Sequence, residues 1–138
     1  METQGEYIVN FDEEIDYSGV WVDDIKQLAM ENNDYRYIAY TSGMMQIAVM
    51  ELEVGEEIEK EIHDDSCQFI RVESGVCIVE IGDTEEIELV ENQCVTIPSG
   101  VEHRVVNAST QNLLKLSVIY APPEHDDDVE DIDEMAEV

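Results

Sequence analysis

The sequence predicts an all-β sandwich or barrel. Three observations carry this reading: many short runs rich in Val, Ile and Tyr, turn residues punctuating them at short intervals, and period-two alternation within runs such as Glu86, Ile87, Glu88 and Leu89. Residues 1 to about 20 are acidic and weakly patterned, and Val22 to Met30 would place Val22, Ile25, Leu28 and Ala29 on one side of a short helix. Residues 1–30 are therefore expected to form an N-terminal helical arm. From Tyr35 the pattern turns to β, with a strand at Tyr37 to Tyr40, a turn at Ser42 and Gly43, and a long strand from Met45 to Val54 that ends at Gly55. In the first half of that strand Met45, Ile47 and Val49 alternate with Ala48 and Met50, so both faces need cover. The core would supply one cover, and the arm or a second subunit the other.

Further strands are expected at Gln68 to Val72, Val76 to Ile81, Glu85 to Val90, Cys94 to Ile97, His103 to Asn107 and Leu113 to Tyr120, with a hairpin turn at Gly82 and Asp83. Pro122 and Pro123 close the domain, which is placed at residues 31–123. Residues 124–138 are dominated by Asp and Glu, cannot bury enough surface to offset their ordering entropy, and are expected to be a disordered acidic tail.

A chain of 138 residues suits one core. Its formal charge is −29, from 35 acidic residues against six Lys plus Arg, so a nucleic-acid duplex or an anionic membrane surface would be repelled. No secretory signal is visible in residues 1–10, and no run approaches the roughly twenty apolar residues needed to span a bilayer. Cys67, Cys77 and Cys94 all fall in expected strands, which suits buried thiols in a reducing compartment; a cytoplasmic location is the expectation.

Chemistry-bearing residues concentrate in two stretches, Gly55-x5-Glu61-x-His63-x4-Gln68-x6-Gly75 and Asn92-x5-Pro98-x-Gly100-x2-His103-x3-Asn107. Either histidine alone would be read as a core or surface side chain with satisfied hydrogen bonds. Together the stretches resemble the two signature motifs of the cupin superfamily, whose fold is a double-stranded β-helix, or jelly-roll barrel. The resemblance implies one divalent metal ion held by Glu61, His63, Gln68 and His103, with Fe or Mn favoured over Zn or Ni. On a strand, Glu61 and His63 would share a face, Gln68 would return from the next antiparallel strand after a turn, and His103 would approach from a third. The commoner cupin pattern has His where this chain has Glu61 and Glu where it has Gln68, so the single carboxylate has moved. Gln68 is either a ligand or a hydrogen-bonding partner of Glu61 or of a coordinated water.

Over residues 31–125 the chain is also similar to a subgroup of small cupins described as mannose-6-phosphate isomerase-like. The carrying segments include Asn33 to Arg36, Gly55 to Ile58, Gln68 to Val72, Ile97 to His103 and Ile119 to His125. That kinship implies a homodimer with a small-molecule ligand, carbohydrate among the candidates. Cys67 and Asn92 depart from the subgroup pattern; Asn92 is tolerable if its turn is left-handed. Arg36, Tyr40, Gln46 and His125 are candidates for lining a substrate cavity, His125 being either a general acid or base or, as favoured from sequence, an exposed residue leading the tail. Arg71 and Arg104 fall an odd number of positions from Gln68 and His103 and should face away from the site, in ion pairs.

Three functions follow as expectations: a metal-dependent sugar isomerase, a non-haem dioxygenase suggested by two His and one carboxylate, and a non-catalytic module holding a small ligand or metal.

Overall fold

A computed structural model describes residues 19–125; the first 18 residues of the expected arm, and residues 126–138 of the expected tail, lie outside them. One helix, α1 (Ile25–Glu31), precedes nine strands: β1 (Arg36–Thr41), β2 (Gln46–Leu52), β3 (Glu57–Glu61), β4 (Cys67–Ser74), β5 (Val76–Ile81), β6 (Glu85–Val90), β7 (Cys94–Ile97), β8 (His103–Asn107) and β9 (Leu114–Ala121). All pairings are antiparallel. A five-stranded sheet runs β1-β2-β9-β4-β7 and a four-stranded sheet runs β3-β8-β5-β6.

Alternation explains the core. Leu114, Leu116, Val118 and Tyr120 of β9 point inward with Met50 and Leu52 of β2 and Ile70 and Val72 of β4, against Ile58, Cys77, Val79, Leu89 and Val105 of the opposing sheet. The intervening residues of β9 face outward, where α1 lies against β9, β2 and β4. The helix begins later than the apolar spacing predicted, because the Asp24 carboxylate accepts from the Gln27 amide at 3.0 Å and caps it. Val22 consequently stays outside the helix and exposed. Val49 is fully buried on the outer face, so the arm meets part of the need for cover that the sequence had also offered to a second subunit. Lys115, on the same face, ties the end of the helical segment to the sheet by donating to the Asn32 carbonyl and pairing with Glu51 at 2.8 Å.

Two turns depend on unusual backbone. Asn92 adopts the left-handed conformation its turn requires, at φ 74°, and accepts from Arg71 at 2.7 Å. Gly75 sits between β4 and β5 at φ +105°, where a Cβ would lie 2.8 Å from the Leu113 carbonyl oxygen.

The thiol expectation is corrected at two positions. Cys77 is buried, and burial pushes its pKa up to about 12. Cys67 and Cys94 are exposed; each opens its strand, and β7 is a sheet edge, so an outward side chain there meets no second layer.

Candidate metal centre

Residues paired across antiparallel strands project from the same face. In the five-stranded sheet Gln46 pairs with Tyr120, and Tyr120 with Gln68, giving an inward row in which no member exceeds 2% exposure. In the opposing sheet Glu61 pairs with His103. The rows meet across the interior, where His103 Nε2 lies 2.8 Å from Gln68 Oε1.

His63 arrives differently from the expectation. β3 ends at Glu61, after an irregularity between Ile58 and Glu61, and His63 follows two residues beyond. Its carbonyl accepts from the Gly100 amide at 2.8 Å, so the loop before β8 anchors its backbone. Gly100, at φ +83°, supplies the turn that makes this approach. Ile62 is turned out to solvent, and the His63 ring packs 5.5 Å from His103 and edge-on to Tyr120 at 5.7 Å.

Donor atoms of Glu61, His63 and His103 therefore lie within 4.8 Å of one another. Their hydrogen bonds fit a cation. His103 Nδ1 donates to the Val101 carbonyl at 3.0 Å, which leaves a lone pair on Nε2 in the neutral ring, facing an amide oxygen. Two acceptors 2.8 Å apart need positive charge between them: a ring proton, a turned amide, or a metal ion. Adjacent corners of a six-coordinate shell with ~2.1 Å bonds are separated by about 3 Å. His63 Nδ1 faces Glu124 Oε2 at 3.2 Å, while its Nε2 is in ion-pair contact with Glu61 but has no hydrogen bond of good alignment. Once it gives up its proton, such a buried nitrogen suits coordination. The residues present fit one divalent ion, with Glu61, His63 and His103 as ligands and Gln68 Oε1 beside His103 Nε2 at 2.8 Å.

The electrostatics agree. Burial pushes the Glu61 carboxyl up, but contact with His63, helped by His103 and Arg36, outweighs it and holds the group below the usual carboxylate range. His63 is held above its ordinary value by Glu61, against burial and with help from Glu124. Each group favours its charged form because the other is there. A cation replacing the His63 proton would inherit the same carboxylate field.

The proposed cavity residues divide. Arg36 is buried, hydrogen-bonds Tyr120 and influences Glu61 and His125. Gln46 grips the C-terminal segment: its Oε1 accepts from the amides of Glu124 and His125 at 3.1 and 2.9 Å, and its Nε2 donates to the His125 carbonyl at 2.7 Å. His125 is not the exposed residue expected; its ring stands edge-on to Tyr120 at 4.8 Å, and burial drives its pKa down to about 4. Residues 124 and 125 thus pack on the barrel although the sequence assigned them to a tail. Tyr40 does not reach the interior. A register shift in β1 between Ile38 and Tyr40 sets Tyr40 opposite Ile47 on the outer face, where its hydroxyl donates to the Gly19 carbonyl and its ring meets Trp21. Arg104 faces away, paired with Glu57 and Glu80, and Arg71 bonds Asn92.

Three residues at the site were missed: Tyr120, Ser66 and Glu124. Tyr120 was legible from the alternation of β9; the other two had no local signal.

Residues 48–120 match the cupin domain family known as Cupin_2. The chain belongs to that family, and its two antiparallel sheets and clustered Glu and His residues are those of a cupin with a possible metal site. It is similar to an uncharacterized protein, L612, of Acanthamoeba polyphaga mimivirus, 38% identical over 109 residues, covering 77% of this chain and 68% of that protein. An uncharacterized protein of Bacillus subtilis (strain 168), YrkC, is 34% identical over 110 residues, covering 76% of this chain and 59% of that protein, so the chain spans less than two thirds of it. Among solved structures, BH2720 from Bacillus halodurans superposes with a TM-score of 0.74 at 34% identity, covering 77% of this chain and 83% of that one.

Among the described residues no helix is long and apolar enough to cross a membrane.

Proposed function

We propose that this chain is a metal-binding cupin that holds one divalent cation, Fe or Mn ahead of Zn or Ni, through Glu61, His63 and His103, with Gln68 as a fourth donor. The observation that carries the reading is the convergence of the Glu61, His63 and His103 donor atoms within 4.8 Å inside the barrel. Two imidazoles with one carboxylate and an amide oxygen favour a borderline or hard six-coordinate ion over a thiolate-bound structural zinc.

The reaction such a site supports best is isomerisation of a hydroxy-carbonyl compound of the sugar class. When bound, the ion polarises the carbonyl oxygen. His125, with its pKa depressed to about 4, is a neutral imidazole at pH 7 and lines the site without adding charge. Tyr120, pushed up to about 12, keeps its phenolic proton as a donor, and Arg36 beside it offsets negative charge developing on a ligand oxygen. Resemblance to the mannose-6-phosphate isomerase-like cupins motivates the sugar class. The scarcity of Lys and Arg argues against a phosphorylated one.

A second reading has its own observation. Tyr120 packs edge-on to His63, His125 packs on Tyr120, and Glu124 faces His63, which suits a module that stores an ion without turning over substrate. Mn(II)- or Fe(II)-loaded protein, assayed against a panel of aldoses and ketoses with and without oxygen, separates the readings. Oxygen-independent interconversion that disappears in His63→Ala supports the isomerase. Oxygen-consuming turnover points to a dioxygenase, and an inert but metal-loaded chain leaves the binding module.

A further inference from the structure

The carboxylate that meets Nδ1 of His63 comes from outside both histidine motifs. After β9 the chain bends through Pro122 and Pro123 and returns across the site, where Glu124 divides its two oxygens: Oε1 accepts from the Ser66 hydroxyl at 2.6 Å, and Oε2 faces His63 Nδ1 at 3.2 Å. Gln46, fully buried in the inward row of the five-stranded sheet, fixes the backbone of Glu124 and His125 through three hydrogen bonds. His125 closes the arrangement by packing on Tyr120.

We propose that Glu124 is a positioning residue of the metal centre, its carboxylate accepting from the protonated Nδ1 of His63 so that Nε2 is the nitrogen turned toward Glu61 and His103, and that ion uptake is thereby coupled to the seating of residues 122–125 over the site. The inference rests on the metal reading above. A ring nitrogen can serve an ion only if the other nitrogen carries the proton, and an acidic partner on that proton fixes the tautomer and makes the ligating nitrogen more basic. Glu61 cannot do this, because it contacts Nε2 itself. Ser66 is 3% exposed and holds the Glu124 carboxylate from the other side, so its geometry is set from both ends. Coupling is reciprocal: if the seated segment strengthens ion binding, a bound ion strengthens the seating.

The test is calorimetric titration of the full chain with Co(II), in wild type, Glu124→Gln and Glu124→Ala. The amide of Glu124→Gln can still accept from Ser66 and hold the segment down, but it lacks the charge; a purely structural role for Glu124 would leave its Co(II) affinity untouched. Affinity weaker by about 10–100-fold in Glu124→Gln is the expected result. Hydrogen exchange at the amides of residues 124 and 125, both donated to Gln46, should slow on Co(II) binding in wild type and respond less in Glu124→Gln. If Glu124→Ala fails to fold, Glu124→Gln alone carries the test. Wild-type affinity in Glu124→Gln, or exchange at these amides indifferent to Co(II), overturns the inference and leaves the metal reading intact. A wild-type chain that takes up no Co(II) removes both.

Discussion

His63 and His125 lie in the same interior and shift in opposite directions, which makes their effects on stability separable. The Glu61 contact holds His63 above its ordinary value, so its contribution in the metal-free chain is fully present below its unfolded pKa and is lost as pH rises through the raised folded value. Burial depresses His125 from 6.5 to about 4. The folded state then binds fewer protons than the unfolded chain between those values, so the His125 contribution is intact above pH 6.5 and is lost as pH falls toward 4. We predict that the thermal midpoint of the wild type drops relative to His125→Gln across that window, because the variant has nothing to protonate there. His63 is common to both proteins and cancels in the comparison. Parallel profiles from pH 6.5 to 4 would contradict burial of the His125 ring.

Element by element, the strands were largely legible because alternation and glycine-bearing turns are local signals. Cys94 to Ile97 and His103 to Asn107 form strands with the expected limits, and β2 is only shorter at its ends than the run from Met45 to Val54. The clustering of Glu61, His63 and His103 was legible from motif resemblance, although His63 reaches it from the loop after β3 and not from i, i+2 spacing on a strand. Irregularities were not. A bulge inserts a residue without a sequence mark, so the placement of Tyr40, a candidate for the cavity, on the outer face was not legible, and the end of β3 before His63 depends on a loop 37 residues further along that supplies the Gly100 amide. Glu124 was hidden in an acidic run where each carboxylate looks alike, and its contacts to Ser66 and His63 are long-range. The tight turn at Gly75 offers a direct check at this scale. Its φ of +105° and the 2.8 Å approach of the Leu113 carbonyl leave no room for a Cβ, so Gly75→Ala should cost about 1–3 kcal/mol in urea unfolding. An alanine variant as stable as wild type would mean that the β4–β5 connection is looser than described.

For the molecule as a whole, the fold and the site are two consequences of one arrangement. Two antiparallel sheets must fill the space between them, and at one place this chain fills it with polar rows, Gln46, Tyr120 and Gln68 against Glu61 and His103, in place of the leucines and valines used elsewhere. Buried polar groups are costly unless satisfied, and here a carboxylate, two imidazoles and an amide oxygen point at one another. In the proposed reading, a divalent ion bound there would satisfy these groups together and make the polar rows a source of stability. The central claim is therefore that these side chains share one ion, and its most direct measurement is anomalous diffraction from crystals grown with Mn(II) or Co(II). The account predicts a single interior peak bonded to Glu61, His63 and His103 at about 2.0–2.3 Å, with the Gln68 oxygen beside it. A metal-loaded crystal with no peak between those side chains, or with ions only on the acidic surface, would contradict it.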